Sequence, residues 1–522
     1  MRTKASVKNV TYNLILQVLI MASGFIVRTA LVKSLGKEYM GLGGLFTNII
    51  SMLSLAELGI GLAITFSLYK PLAESDERQV SALMNFYKLA YRVIGCVIGV
   101  AGIIAIPFLR FFMAKNESPA DFPGFYYIYF LFLFNSVFSY LAFAYKRSIL
   151  SADQKSWAIA QTNIVTVIIS TVLQLYVLKL FSRPDYRYIA VLIVQIFFVF
   201  VVNFITAYIS DRMYPYLRKY KKTKIHPDER RAIYKNVFAL SINKISVTIV
   251  NTSDVLLVSI FCGVGAVGLY NNYALLLTSI NALVTMIFNP LVASLGNLSV
   301  TENENSKYNV FRRVYFANMW IIGFCSICFT VMFQMFIQYW LGADFLMAVF
   351  IMLTTVFSFY LRGTEIAVNL YRHAEGLYWQ GRYRPVAMAV LNIISSVIFY
   401  YICGMGGIFI GTIISNLLTV FWFDPWLVYK NVFKRPVAGY FIEYAVHFII
   451  TIISGSLIWW LCSVFFPVNN FWSVMGRLGT VVVISNLIYF LLFFRREEFK
   501  YFKALASDTL KDMFKRFIRK KN

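Results

Sequence analysis

Seven ionisable side chains interrupt the long apolar runs of this sequence: Arg28, Glu57, Arg92, Lys244, Asp254, Arg362 and Glu365. Each costs about 3 kcal/mol near the middle of a lipid-exposed helix, so seven unpaired charges facing lipid would cost about 20 kcal/mol. That exceeds the ordinary net stability of a domain. The seven must therefore pair with one another or border water, and polar neighbours at helical spacing favour water. Asn13, Gln17, Gly24 and Arg28 form one stripe, and Ser241, Lys244, Thr248, Asn251 and Asp254 form a second. Thr355, Ser358, Arg362, Glu365 and Asn369 make a third, and Asn163, Thr166, Ser170 and Gln174 a fourth. Polar faces of this length exceed the needs of a single ion pair and predict a wet cavity between two halves of the chain.

The residue types suggest what such a cavity would do. Arg28 stays charged and can grip phosphate oxygens through two parallel hydrogen bonds. Glu57 either carries a coupling proton or cation, or balances Arg28. Arg362 and Glu365 lie three apart on one helical face and can neutralise each other. Lys244 and Asp254 are ten residues apart, about 15 Å along a helix, so each needs another partner. Arg92 reads as snorkelling to the interface from the inner end of its helix.

The elements that position these groups follow from composition. Of 522 residues, 59% are hydrophobic and 14% charged, against roughly half and a quarter in a soluble chain. A large soluble enzyme is excluded in favour of an all-α, polytopic membrane protein. Apolar stretches predict fourteen transmembrane helices between residues 10 and 494. The net charge of +25 would suggest nucleic acid in a soluble protein. Here it reflects basic loops facing anionic lipid, and no nucleic-acid partner is expected. With the N-terminus inside, cytoplasmic loops and termini hold about 37 Lys and Arg and external loops about 7. Both termini are therefore expected in the cytoplasm. Arg2, Lys4 and Lys8 before the first apolar run read as the flank of a retained span.

A basic segment at 211–235 divides an N-terminal six-helix bundle, 1–210, from a C-terminal one, 236–440. Gly36 followed by Gly41-Leu42 recurs as Gly263 followed by Gly268-Leu269, an offset of 227. Asn163 recurs as Asn392 in nearly the same register. Such parallel repeats characterise alternating-access transporters. In this register Arg28 aligns beside Asp254, as the two sides of a gate would. Two further helices, at 441–494, precede a basic amphipathic tail, 495–522, suited to an anionic membrane surface.

Other motifs are thin. Cys325 and Cys328 have CxxC spacing without a second pair and read as packing residues, His447 likewise, and no metal site is expected. No phosphate-binding loop of nucleotide hydrolases is present, so the chain does not power itself with nucleotide. The external loops are short, which leaves no outside domain for chemistry.

Arg28, Leu35-Gly36, Gly41-Leu42 and Glu57-Leu58-Gly59 carry a family resemblance, as do Asp254, Gly263 and Val267-Gly268-Leu269-Tyr270. Gly376-Leu377-Tyr378-Trp379, Arg382, Pro385, Asn392 and Gly411-Thr412 extend it across about the first 430 residues. Together they resemble the bacterial polysaccharide flippases of the multidrug, oligosaccharidyl-lipid and polysaccharide exporter superfamily. The resemblance implies two six-helix bundles in a V and transfer of an undecaprenyl-pyrophosphate-linked oligosaccharide from the inner to the outer leaflet of the cytoplasmic membrane. On that reading Arg28, Lys244 and Arg362 meet pyrophosphate, and Asn13, Gln17 and Asn251 contribute polar contacts. Glu57, Asp254 and Glu365 serve coupling or gating, with a proton or sodium ion as the coupling cation and no other cofactor. The last two helices, with Arg477 near the outer side, hold the lipid tail as in lipid II flippases. Polysaccharide-assembly proteins are candidate partners, with the oligomeric state open. A multidrug antiporter is the first alternative, although it should favour acidic cavity residues. A membrane glycosyltransferase or polymerase lacks its usual extramembrane domain, and a scaffold would not need buried charge.

Overall fold

A computed structural model describes residues 2–57, 60–221, 223–377, 379–468, 470–505 and 507–508. Among them the regular structure is helical throughout. The first part of the chain forms α1 (Arg2–Leu53), α2 (Ile60–Ala73), α3 (Glu77–Ala105), α4 (Phe125–Leu141), α5 (Arg147–Ala152), α6 (Ser156–Leu180), α7 (Pro184–Met213), α8 (Tyr216–Lys219) and α9 (Pro227–Cys262). There follow α10 (Val264–Phe288), α11 (Leu291–Thr301), α12 (Glu304–Leu341), α13 (Val349–Thr364), α14 (Ile366–Ala374) and α15 (Arg384–Cys403). The last four are α16 (Met405–Leu418), α17 (Val420–Val428), α18 (Ala438–Phe465) and α19 (Phe471–Phe493).

Local chemistry sets many of these boundaries. Asp76 accepts from the Gln79 amide at 2.9 Å to start α3, and Asn303 and Asn470 cap α12 and α19 in the same way. Pro184 and Pro227 open α7 and α9, where a missing amide hydrogen costs nothing.

Among the described residues twelve helices are long and apolar enough to cross a membrane. The number is thirteen if α4 and the segment 144–152, which meet at 50°, form one bent span. The expected fourteen is not reached by this measure. Counted as thirteen, the difference lies in α1, where the two helices expected there meet at a non-helical Gly36, with φ 78° and ψ −177°, and count as one.

The repeated glycines have matching conformations. Gly263, the counterpart of Gly36, has φ 90° and ψ 167° and ends α9 as Gly36 breaks α1. A Cβ on Gly41 would overlap the Val264 carbonyl, and one on Gly268 would overlap the Lys37 carbonyl. Because 37 and 264 are also related by the offset, each copy of the motif lays its glycine on the backbone of the other. Only a residue without a side chain permits that approach. Glu117 accepts from the Val264 amide through both carboxylate oxygens, at 3.0 and 3.1 Å, placing negative charge at the start of α10.

The chain packs as two compact units. The first comprises Met1–Asn272 with Pro385–Tyr401, and the second Tyr273–Arg384 with Ile402–Asn522. The two-bundle division at 211–235 stays a proposal about the sequence repeat. In the first unit Ile64, Leu68, Leu83, Tyr87, Ile149 and Leu150 form a core under α2, α3 and α5. In the second, an aromatic core of Phe311, Tyr315, Tyr371, Tyr429, Phe433 and Tyr440 joins α12 and α14 to the end of α17 and the start of α18.

His447 stacks on Phe493 with ring centroids 4.8 Å apart. It is a packing residue as expected, but neither ring nitrogen has a hydrogen-bond partner. Cys325 and Cys328 are partly buried free thiols. Glu498 at the start of the tail is buried with Arg312 at 2.5 Å, and Phe499 stacks on Trp320. Part of the expected tail face therefore meets protein, while residues 509–522, like Leu58, Gly59 and Tyr378 of the family motif, lie outside the described residues.

Candidate functional site

Within the first unit, the C-terminal arm of α1, α4 and the middle of α9 line an open cavity of about 600 Å³. Four sequence-predicted residues line it: Glu57, Lys244, Thr248 and Asn251. Glu57 follows α1 on a single 3₁₀ turn, Ser54–Glu57. The Lys244 ammonium lies 3.1 Å from Glu57 Oε2, with both side chains partly open to solvent. Tyr91 donates to Glu57 Oε1 and Tyr140 to Glu57 Oε2, each at 3.2 Å. Tyr87 in turn donates to the Tyr91 hydroxyl at 2.8 Å. One carboxylate thus receives an ammonium and two phenols, which fixes its position without removing it from water.

The rest of the wall is uncharged, with Ile50, Leu55 and Phe132 as its apolar members and the remainder polar. Thr47, Asn48, Ser51 and Ser54 project from α1, and Thr248, Asn251 and Thr252 from α9. The Thr47 and Ser51 hydroxyls and the Asn48 amide return hydrogen bonds to carbonyls four residues earlier, at 2.6 to 2.8 Å. Their oxygen lone pairs remain available. Asn135 on α4 has a carboxamide oxygen without a hydrogen-bond partner.

The other predicted residues have separate surroundings. Arg28 donates through Nε to Asn272 Oδ1 at 2.9 Å and through a terminal nitrogen to the Gly268 carbonyl at 3.3 Å. It is thereby tied to the second copy of the glycine motif. Asn13 donates to the Asn9 carbonyl at 2.7 Å and faces Ser156 at 3.5 Å, while Gln17, one turn on, is half-buried. Asp254 is buried and accepts from Asn392 at 3.5 Å, and Asn392 also accepts from Ser253 at 2.6 Å. The stripe Asn163, Thr166, Ser170 and Gln174, on α6, shares a smaller cavity with Arg147 and Gln195.

In the second unit Glu365 is buried, with Asn416, Asp424, Arg384 and Arg362 as its polar and charged neighbours. Asp424 holds Arg372 at 3.3 Å and also Arg384. Sequence reasoning missed this cluster. Asp424 meets the same criterion as the seven ionic residues, a charge inside an apolar run, but its arginine partners lie 40 and 52 residues away in sequence, beyond the reach of helical periodicity. The polar face Thr47, Asn48, Ser51 and Ser54 was also passed over, although its spacing of three and four is visible. The two phenols on Glu57 left no such signal. The second unit further contains a mainly apolar groove of about 350 Å³ between α12, α13 and α18, lined by Leu353, Phe357, Phe448 and Thr451 among others.

The model of the family described as polysaccharide biosynthesis protein matches residues 6–295, more than half of the chain. No curated protein matches. Among solved structures, the lipid II flippase MurJ in an inward closed conformation is similar with 14% identity and a TM-score of 0.68, covering 93% of this chain and 99% of that one. An inward-facing multidrug resistance MATE family transporter has 14% identity and a TM-score of 0.61, covering 81% and 98%. The Vibrio cholerae MATE transporter VcmN, in a mutant form, has 12% identity and a TM-score of 0.60, covering 83% and 98%. At these identities the likeness is one of fold, an all-helical multi-pass membrane architecture.

Proposed function

Because this chain belongs to the polysaccharide biosynthesis protein family, we propose that it is a flippase for an undecaprenyl-pyrophosphate-linked oligosaccharide. It moves the repeat unit from the inner to the outer leaflet of the cytoplasmic membrane by alternating access, and it forms or breaks no covalent bond of its substrate. The observation that carries this reading is the cavity holding Lys244 and Glu57 amid hydroxyls and amides. A pyrophosphate group needs cationic compensation when it leaves water, and sugar hydroxyls need alternating donors and acceptors. The wall supplies both.

In this mechanism the pyrophosphate competes with Glu57 for Lys244. The carboxylate keeps the Tyr91 and Tyr140 hydrogen bonds when the ammonium turns to its new partner, so neither state leaves Glu57 without donors. Asn48, Ser51 and Asn251 face the sugar. Arg28 acts at one remove by holding the glycine motif, and a proton or sodium ion on Glu57 or Asp254 supplies the drive.

Lys244→Ala, expressed at the wild-type level in the native cell, tests the reading. Loss of surface polysaccharide with lipid-linked repeat units accumulating inside is expected. Normal surface polymer removes the role given to Lys244, and loss of polymer without accumulation points to a transferase instead.

A further inference from the structure

A second cavity of the first unit, about 350 Å³, lies where the first turns of α3, the segment after α4, the end of α7 and α8 come together. Four cations line it: Lys88, Lys146, Arg218 and Lys221. One carboxylate lies among them, Asp211, which Lys146 approaches to 2.5 Å and Arg218 to 3.1 Å. The Lys146 and Asp211 side chains at its centre are only 11% and 19% exposed, while Arg218 and Lys221 are exposed at its mouth. Lys88 has Arg92, Lys146 and Lys221 as charged neighbours, against Asp211 alone of opposite sign. The cluster is also held in place. Asn85 donates to the carbonyls of Tyr220 and Thr223, both at 3.1 Å, and pins the connecting segment beside the cavity.

We propose that this cavity binds the phosphate of an anionic phospholipid headgroup. A surplus of three positive charges in a partly enclosed space calls for an anion, and a phosphate diester accepts hydrogen bonds from several ammonium groups at once. The position favours a lipid over soluble phosphate. These residues sit at the ends of membrane-crossing helices, which is headgroup depth. On α3, Leu89, Val93, Val97 and Val100 continue from Lys88 along one helical face as exposed apolar residues, and Phe204 and Tyr208 on α7 lie outward of Asp211. An acyl chain would lie along such a face while its phosphate enters the basic cavity. The site is distinct from the Lys244 cavity and does not depend on the transported substrate.

The test uses the full chain in detergent, titrated with phosphatidylglycerol or phosphatidylcholine and read by native mass spectrometry. At about 1 kcal/mol for each cation near an anionic surface, Lys88→Gln weakens phosphatidylglycerol binding about five-fold and Lys88→Gln with Lys221→Gln about twenty-five-fold. Lys88→Arg preserves binding, phosphatidylcholine affinity does not change, and unaltered melting and elution show that the variants are folded. Equal binding of the two lipids, or undiminished phosphatidylglycerol binding by the double variant, overturns the proposal. Displacement of the lipid by millimolar inorganic phosphate, with the same dependence on the lysines, keeps the phosphate chemistry and overturns the lipid as its source.

Discussion

At the scale of single residues, charge sign separates the two transport readings. Removing Lys244 leaves Glu57 with two phenols, and removing the Glu57 charge leaves Lys244 without its anion. Glu57→Gln should therefore hold or strengthen binding of undecaprenyl pyrophosphate, whereas Lys244→Gln should weaken it about ten-fold, the equivalent of about 1.4 kcal/mol. Fluorescence titration measures both. A cation antiporter predicts the reverse pattern with a lipophilic organic cation as ligand. The Asp424 cluster behaves differently because it is sealed: Arg372 and Asp424 side chains are 6% and 2% exposed. Asp424→Asn leaves two buried guanidinium groups short of a counter-charge and should cost about 3–5 kcal/mol. Thermal unfolding in detergent should show a large drop in midpoint, and an unchanged midpoint would contradict a structural role. Lys244 and Glu57 were legible in the sequence as costly charges within apolar runs. Tyr91 and Tyr140 were not, since a tyrosine in such a run is unexceptional until its hydroxyl is seen to find a partner.

At the scale of elements, the glycine repeat turned a sequence offset into geometry. Gly36 and Gly263 share a left-handed break, and Gly41 and Gly268 lie against each other's motif. The obstacle at each of the latter two is a backbone carbonyl, which cannot swing aside as a side chain would. Gly41→Ala and Gly268→Ala should each destabilise the protein by about 1–3 kcal/mol, lowering both folded yield and melting midpoint. Gly24→Ala is the control, with open space within 4 Å of the added carbon. Equal melting of all three variants would contradict the packing described. Helix positions were readable because apolar length and charged boundaries are local properties.

At the scale of the whole molecule, multi-pass character was evident from composition, and the distribution of basic residues gives an orientation to test. The connecting segment that carries Lys224 should face the cytoplasm and the one that carries Lys115 the outside. In a cysteine-free background, Lys115→Cys should react with an impermeant maleimide in intact cells and Lys224→Cys only after permeabilisation. The opposite pattern would invert the proposed direction of transport. Fold and family leave the substrate to be measured, because solved structures of similar fold include a lipid II flippase and multidrug transporters. The most direct measurement is movement of a fluorescent undecaprenyl-pyrophosphate-linked oligosaccharide across reconstituted vesicles, followed by quenching from the outside. Vesicles holding the wild-type chain should equilibrate the lipid between leaflets, and those holding Lys244→Gln should do so at least about ten-fold more slowly, matching the expected loss of binding. Transfer no faster than in protein-free vesicles, or equally fast with Lys244→Gln, would contradict the account.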